Sequence, residues 1–222
     1  MVIALWVTLI CFPQPLFSTT LRSGHLILHS DQPIPEAAGT HVLRLAEAKL
    51  AKSPLWTGQR DYDIYICNAR WRQVIFFNKD YGAGGVALYP LTTNHVFLRD
   101  ARIEDNRLIS PRGTPVAADR PLDYFIAHEI THLLTGPWHP PQWVREGYAD
   151  HIGKGSEIDL NQSRQSFLSN NPEMDYAKSG LYRRFHLLVA WQLPRGKQTV
   201  EQLLHDPPPQ SAAEVSVKED RP

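Results

Sequence analysis

The sequence predicts an α+β domain: an N-terminal mixed sheet with helices, followed by a helical half. Three observations lead there. Segments rich in β-formers crowd the first hundred residues, at 24–29, 62–67, 86–89 and 94–98. From Pro121 onward they give way to stretches whose apolar residues recur at helical spacing, the first of them, 122–134, free of Gly and Pro. Strands first and helices after is the order of an α+β fold, and 222 residues suit one well-buried core.

The elements follow in chain order. The first charged side chain is Arg22, and an apolar run over residues 2–12 (VIALWVTLICF) precedes Pro13 and Pro15. The run is shorter than the roughly 20 apolar residues a membrane span needs and has the character of a secretory leader. Residues 1–21 are therefore expected to be a signal peptide or membrane anchor. The protein is accordingly expected to be exported (periplasmic or extracellular) or held at a membrane through this segment. Residues 22–205 are expected to form a single domain. Within it, 24–29 (GHLILH) reads as a short strand. Residues 36–52 read as an amphipathic helix carrying Val42, Leu43, Leu45, Ala46 and Leu50. Residues 62–67 alternate as a strand, and 71–77 suit a short helix. Tyr81-Gly82-Ala83-Gly84-Gly85 has neither the Lys nor the following helix of a phosphate-binding loop and reads as a plain turn. Candidate strands at 86–89 and 94–98 come next.

Pro121 suits a first helical turn, so a helix is expected over 122–134, stopped by Gly136-Pro137. Pro140-Pro141 introduces a second helix at 142–152, a third is expected at 177–193, and a short fourth at 200–204. The polar, Pro-rich residues 206–222 are expected to be a disordered tail.

Composition excludes several classes of function. Hydrophobic residues at 42% and charged residues at 21% describe a globular chain. Lys+Arg and Asp+Glu are both 23, so no basic field is available to attract nucleic acid. The two cysteines, Cys11 and Cys67, provide neither a disulfide framework nor a cysteine zinc cluster. Cys67 ends an apolar strand and reads as a buried residue. No GxSxG string marks a serine nucleophile.

The chemistry lies in His128-Glu129-Ile130-Thr131-His132, an HExxH string. Residues four apart share a helix face, so both imidazoles can reach one Zn²⁺ ion. Glu129 lies about 100° further round the helix, where it can face an attacking water as general base without ligating the ion. Phe125, Ile126, Ile130, Leu133 and Leu134 make the rest of this helix apolar, and polar groups buried there are costly unless something binds them. A catalytic zinc needs a third protein ligand, and two residues compete for the role. His139 closes HEITHLLTGPWH, which misses the metzincin spacing HExxHxxGxxH by one residue and has no Met-turn behind it. Glu146 opens Glu-Gly-Tyr-Ala-Asp on the next helix, fourteen residues after His132.

Here the chain resembles the gluzincin metallopeptidases, the group of thermolysin and the aminopeptidase-N-like enzymes. The likeness rests on HExxH with Trp143-Val144-Arg145-Glu146-Gly147-Tyr148-Ala149-Asp150, and covers about thirty residues from Asp123 to Ile152. It implies a zincin-like catalytic half in which Glu146 is the third zinc ligand and Asp150 supports a ligand histidine from behind. A carboxylate on the second imidazole nitrogen would set the tautomer. The resemblance also implies a Tyr or His that stabilises the oxyanion, with Tyr182 and Tyr176 as candidates and His186 as another. The strand at 94–98 is offered, by the same analogy, as the rim for an extended peptide. The expected function is a zinc metallopeptidase acting on a peptide or protein substrate. The alternative is a non-catalytic, exported or membrane-anchored metal-binding module, for which Glu129 would have no use.

Overall fold

The inner strands of the main sheet are buried on both faces, and such strands need cover on both sides of the sheet. The computed structural model describes residues 2–193 and 198–219. The chain runs through α1 (Val2–Cys11), β1 (Thr19–Ser23), β2 (Leu26–Ser30), α2 (Glu36–Leu50) and β3 (Tyr62–Cys67), then α3 (Arg70–Phe77), β4 (Gly85–Ala87) and β5 (His95–Arg99). A small hairpin, β6 (Ala101–Arg102) and β7 (Arg107–Leu108), leads into α4 (Leu122–Thr135) and α5 (Gln142–Gly153). After them come α6 (Leu160–Leu168), α7 (Tyr176–Ser179), α8 (Arg183–Gln192), α9 (Val200–His205) and α10 (Gln210–Glu219).

The main sheet has the order β1-β2-β3-β5-β4. Strands β2, β3 and β5 are parallel, and the outer strands β1 and β4 pair antiparallel to their neighbours. The expected α+β class with an N-terminal mixed sheet and a helical second half is what the chain adopts. Strand alternation divides the core. Leu26, Leu28, Ile64, Ile66, Val96 and Leu98 share one cluster with Val42, Leu43 and Ala46 of α2 and Ile126 and Ile130 of α4. Tyr65, Cys67 and Phe97 face the other way and pack with Ile10, Phe17, Phe76 and Phe77.

Three expectations need correction, and the N-terminal segment has its own place in the fold. The apolar N-terminal run is a helix folded onto this second face: Ile10 is fully buried, and the Trp6 indole donates to the Ile75 carbonyl at 2.7 Å. Strand β1 crosses the boundary expected between residues 21 and 22. Among the described residues no helix is long and apolar enough to cross a membrane. The strand expected at 94–98 is β5, which lies between β3 and β4, so the outer strand on that side is β4. The helix expected over 177–193 is two, because Gly180 at φ 66° ends α7 and α8 starts only at Arg183. The tail expected to be disordered carries α10, with Ala213 and Val217 buried one turn apart and Arg184 paired with Glu214 at 2.6 Å. Its apolar stripe is only two residues wide, which composition averages away; residues 220–222 lie outside the described residues.

Candidate metal centre

Helix α4 is buried along nearly its whole length between the sheet and α5. Its start has no side-chain cap of its own. The β6–β7 turn serves instead: the Asn106 carbonyl accepts from the Leu122 amide at 2.9 Å, and its side-chain oxygen from the Asp123 amide at 3.1 Å. Lys49 of α2 holds the Asp123 carboxylate at 2.5 Å, which anchors the first turn to the fold. Further along, the Thr131 and Thr135 hydroxyls donate back to the carbonyls of Ala127 and Thr131, at 2.7 and 3.0 Å, so both are buried without an unmet donor.

On this helix His128 and His132 stand one turn apart with ring centroids 4.8 Å apart. Their Nε2 atoms are separated by 3.2 Å. Glu146, on the first turns of α5, brings Oε2 to 3.7 Å from His128 Nε2 and 3.5 Å from His132 Nε2. Zinc–ligand bonds of about 2.0–2.1 Å at tetrahedral angles put donor atoms about 3.4 Å apart, which is the spacing seen here. The three side chains are thus close enough to hold a metal ion. The donor set fits one: two imidazole nitrogens and a carboxylate oxygen converge, and among the described residues His132 Nδ1 is buried without a hydrogen-bond partner.

Electrostatics sharpen the picture. Burial pushes the Glu146 carboxyl up, but the neighbouring His128 and His132 together outweigh it and hold the group well below the usual carboxylate range. Burial pushes Glu129 up to about 7, with His132 opposing and Glu146 and Asp80 reinforcing the shift. A dication beside it would pull that value down. Among the described residues the Glu129 carboxylate has no hydrogen bond or ion pair, although it is only 6% exposed. It lines a cavity of about 880 Å³ that also contains the trio, Tyr176 and Tyr182. The free side of β4 borders the same cavity. A Cβ on Gly85 would stand 2.6 Å from Glu129 Cγ, so glycine lets this strand pass directly alongside Glu129.

The remaining expected residues divide. His139 lines the cavity but stands apart from the trio, packing its ring 5.8 Å from that of Tyr89, so the carboxylate of Glu146 completes the group. Tyr182 and Tyr176 stack at 4.7 Å, and the Tyr182 ring lies 6.2 Å from that of His128. Tyr176 is 47% exposed at the rim, which leaves Tyr182 as the inner of the two. Burial, reinforced by the charge of Glu146, keeps the Tyr182 hydroxyl protonated far above its usual range. His186 is engaged elsewhere, with Nε2 3.2 Å from His151 and Nδ1 3.6 Å from Asp150. Asp150 forms no direct hydrogen bond with a ligand histidine. Its Oδ1 accepts from the Tyr124 hydroxyl at 2.5 Å, and that hydroxyl stands 3.4 Å from His128 Nδ1.

Two residues escaped the sequence reading. Tyr124 lies four residues before His128, a spacing that places it on the ligand face, yet a tyrosine among Leu122, Phe125 and Ile126 looks like core. Arg145 Nε lies 3.2 Å from Glu146 Oε1, the oxygen turned away from the histidines. No protein-family model matches the chain, and no curated protein or solved structure matches it either.

Proposed function

We propose that this chain is a zinc metallopeptidase of the gluzincin type, hydrolysing peptide bonds with Glu129 as general base. One observation carries the reading: His128, His132 and Glu146 converge at ligand spacing beside a second, unpartnered carboxylate inside an open cavity. Two imidazoles and one carboxylate suit zinc with an open position. Zinc held there supplies Lewis acidity and brings the ionisation of water to near neutral pH.

The protein's own groups do the rest. Glu129 takes the proton of the attacking water and delivers it to the leaving amine. The Tyr182 hydroxyl, supported by the stacked Tyr176, donates toward the charge developing on the substrate carbonyl oxygen. The unpaired side of β4, rather than β5, offers backbone groups to an extended peptide, which would lie along the cavity past Glu129. A metal site that merely braces the fold is the competing reading. It leaves the buried Glu129 and the cavity without a purpose.

The test is zinc content and casein or peptide turnover in wild type and Glu129→Gln. The variant is expected to keep its zinc and lose turnover by about 10²–10⁴-fold. Equal turnover in the two proteins would remove the reading.

A further inference from the structure

We propose that Tyr124 is a positioning residue of the metal centre: its hydroxyl links Asp150 to His128 and holds His128 in the tautomer that leaves Nε2 free for the ion. Where the ion is concerned, this rests on the metal-centre reading above; the tautomer stands without it.

The Tyr124 hydroxyl donates its single proton to Asp150 Oδ1 at 2.5 Å. Its oxygen can then only accept from the other neighbour, His128 Nδ1 at 3.4 Å. Nδ1 must therefore carry the hydrogen. A neutral imidazole has one N–H, so Nε2 keeps its lone pair. Nε2 is also the atom that faces His132 Nε2 at 3.2 Å and Glu146 Oε2 at 3.7 Å. Among the described residues Nδ1 has no other hydrogen-bond partner, and with Tyr124 and Asp150 at 3% and 2% exposure solvent offers no ready substitute.

Neighbours keep the far end of the link charged. Lys154 Nζ and His186 Nδ1 flank Asp150 Oδ2 at 3.4 and 3.6 Å, which favours the carboxylate that Tyr124 donates to. The link crosses the α4–α5 interface, because Tyr124 and His128 share one face of α4 while Asp150 comes from α5. It also makes the two ligand histidines unequal. His128 is held from behind, whereas His132 Nδ1 has no partner. Asp150 thus acts on a ligand at one remove, and the hydroxyl of Tyr124 is the group whose loss disconnects it.

Two readouts on Tyr124→Phe test the proposal. Long-range ¹H–¹⁵N NMR of the metal-free protein at alkaline pH reads the tautomer of His128: Nδ1–H is expected in wild type and a mixture in the variant. Competition with a chromophoric chelator reads zinc affinity, expected to fall by about 10–100-fold. Tyr148→Phe is the control. It removes a buried hydroxyl on α5 that is bonded to Ser53 at 2.6 Å and makes no hydrogen bond to the centre among the described residues, and both readouts should stay at wild-type values. Wild-type His128 protonated on Nε2 would overturn the proposal without any variant. So would a Tyr124→Phe protein with unchanged tautomer and affinity, or a Tyr148→Phe protein altered to the same degree. Wild type that binds no zinc would remove the metallopeptidase reading and leave the tautomer result to decide this one.

Discussion

On the face of the sheet beneath α1, His29, Asp63 and His95 sit side by side on β2, β3 and β5, while on the opposite face His128, His132 and Glu146 meet between α4 and α5. The residue types are nearly the same and the arrangements are opposite. In the first group donors meet acceptors. His29 places Nε2 2.7 Å from Asp63 Oδ1 and Nδ1 3.1 Å from the Thr20 hydroxyl. Asn94 donates to Asp63 Oδ2 at 3.3 Å, and His95 Nδ1 lies 3.3 Å from the Ile10 carbonyl. In the second group two imidazole nitrogens and a carboxylate oxygen converge on one point, and Glu129 stands beside them with no hydrogen bond or ion pair among the described residues. A buried His–carboxylate group therefore signals a cation through the convergence of its ligand atoms, and not through its composition.

The largest effect expected from this difference comes from removing one histidine on each face. His132→Ala should take zinc content from about one ion per chain to near none, since two remaining ligands make a poor site. His29→Ala should leave zinc content unchanged and lower stability by about 1–3 kcal/mol, because Asp63 loses its closest partner in a buried position. Zinc analysis and urea unfolding of both variants check the pair. Equal zinc content would erase the distinction between the two clusters.

The same comparison explains how much was legible in the sequence. HExxH and EGYAD lie on consecutive helices whose apolar spacing and proline boundaries are local signals, and α4 and α5 match the expected spans to within a residue. Glu146 was therefore readable as a partner of His128 and His132. What failed depends on contacts between distant segments. Nothing in 94–98 tells that β4 folds back to cover that edge. Nothing near Tyr124 tells that Asp150 arrives opposite its hydroxyl. The surface that receives Ile10 is likewise assembled from distant segments, β3, β5 and α3. Residues 62–67 and 94–98 were legible as strands, and which helices cover their two faces is a property of the whole chain.

A third buried group gives an effect of intermediate size, on stability. Burial pushes His151 down to about 4, with Asp150 opposing and Lys52 reinforcing; it pushes His186 down to about 3, with Asp150 opposing and His151 and Lys154 reinforcing. Both are neutral in the fold and take protons near 6.5 when unfolded, so between about pH 4 and 6.5 the unfolded chain binds more protons. Stability should therefore rise with pH across that window, by up to about 1.4 kcal/mol per pH unit for each histidine, and level off above it. Glu129, raised to about 7, works in the opposite direction between about 4.5 and 7 in metal-free protein, and two histidines outweigh it. Denaturant unfolding from pH 4.5 to 7.5 measures the slope. His151→Gln with His186→Asn should abolish the rise and leave the opposite slope of Glu129, and an unchanged slope would show that other groups set the acid response.

The smallest effect should come from Arg145, and its smallness is the point. Its Nε lies 3.2 Å from Glu146 Oε1, a contact as close as many in the centre, yet its side chain is 49% exposed. An ion pair with that much solvent contributes about 0.2–1 kcal/mol, so Arg145→Gln should weaken zinc binding by less than about fivefold, and the gap should narrow as salt is added. His132 lies no closer to Glu146, at 3.5 Å, but its side chain is only 16% exposed and its nitrogen faces the ion. A loss with Arg145→Gln as large as that of His132→Ala, persisting at high salt, would mean that the guanidinium sets the position of Glu146. The boundary of the centre would then have to be drawn one residue further into solvent.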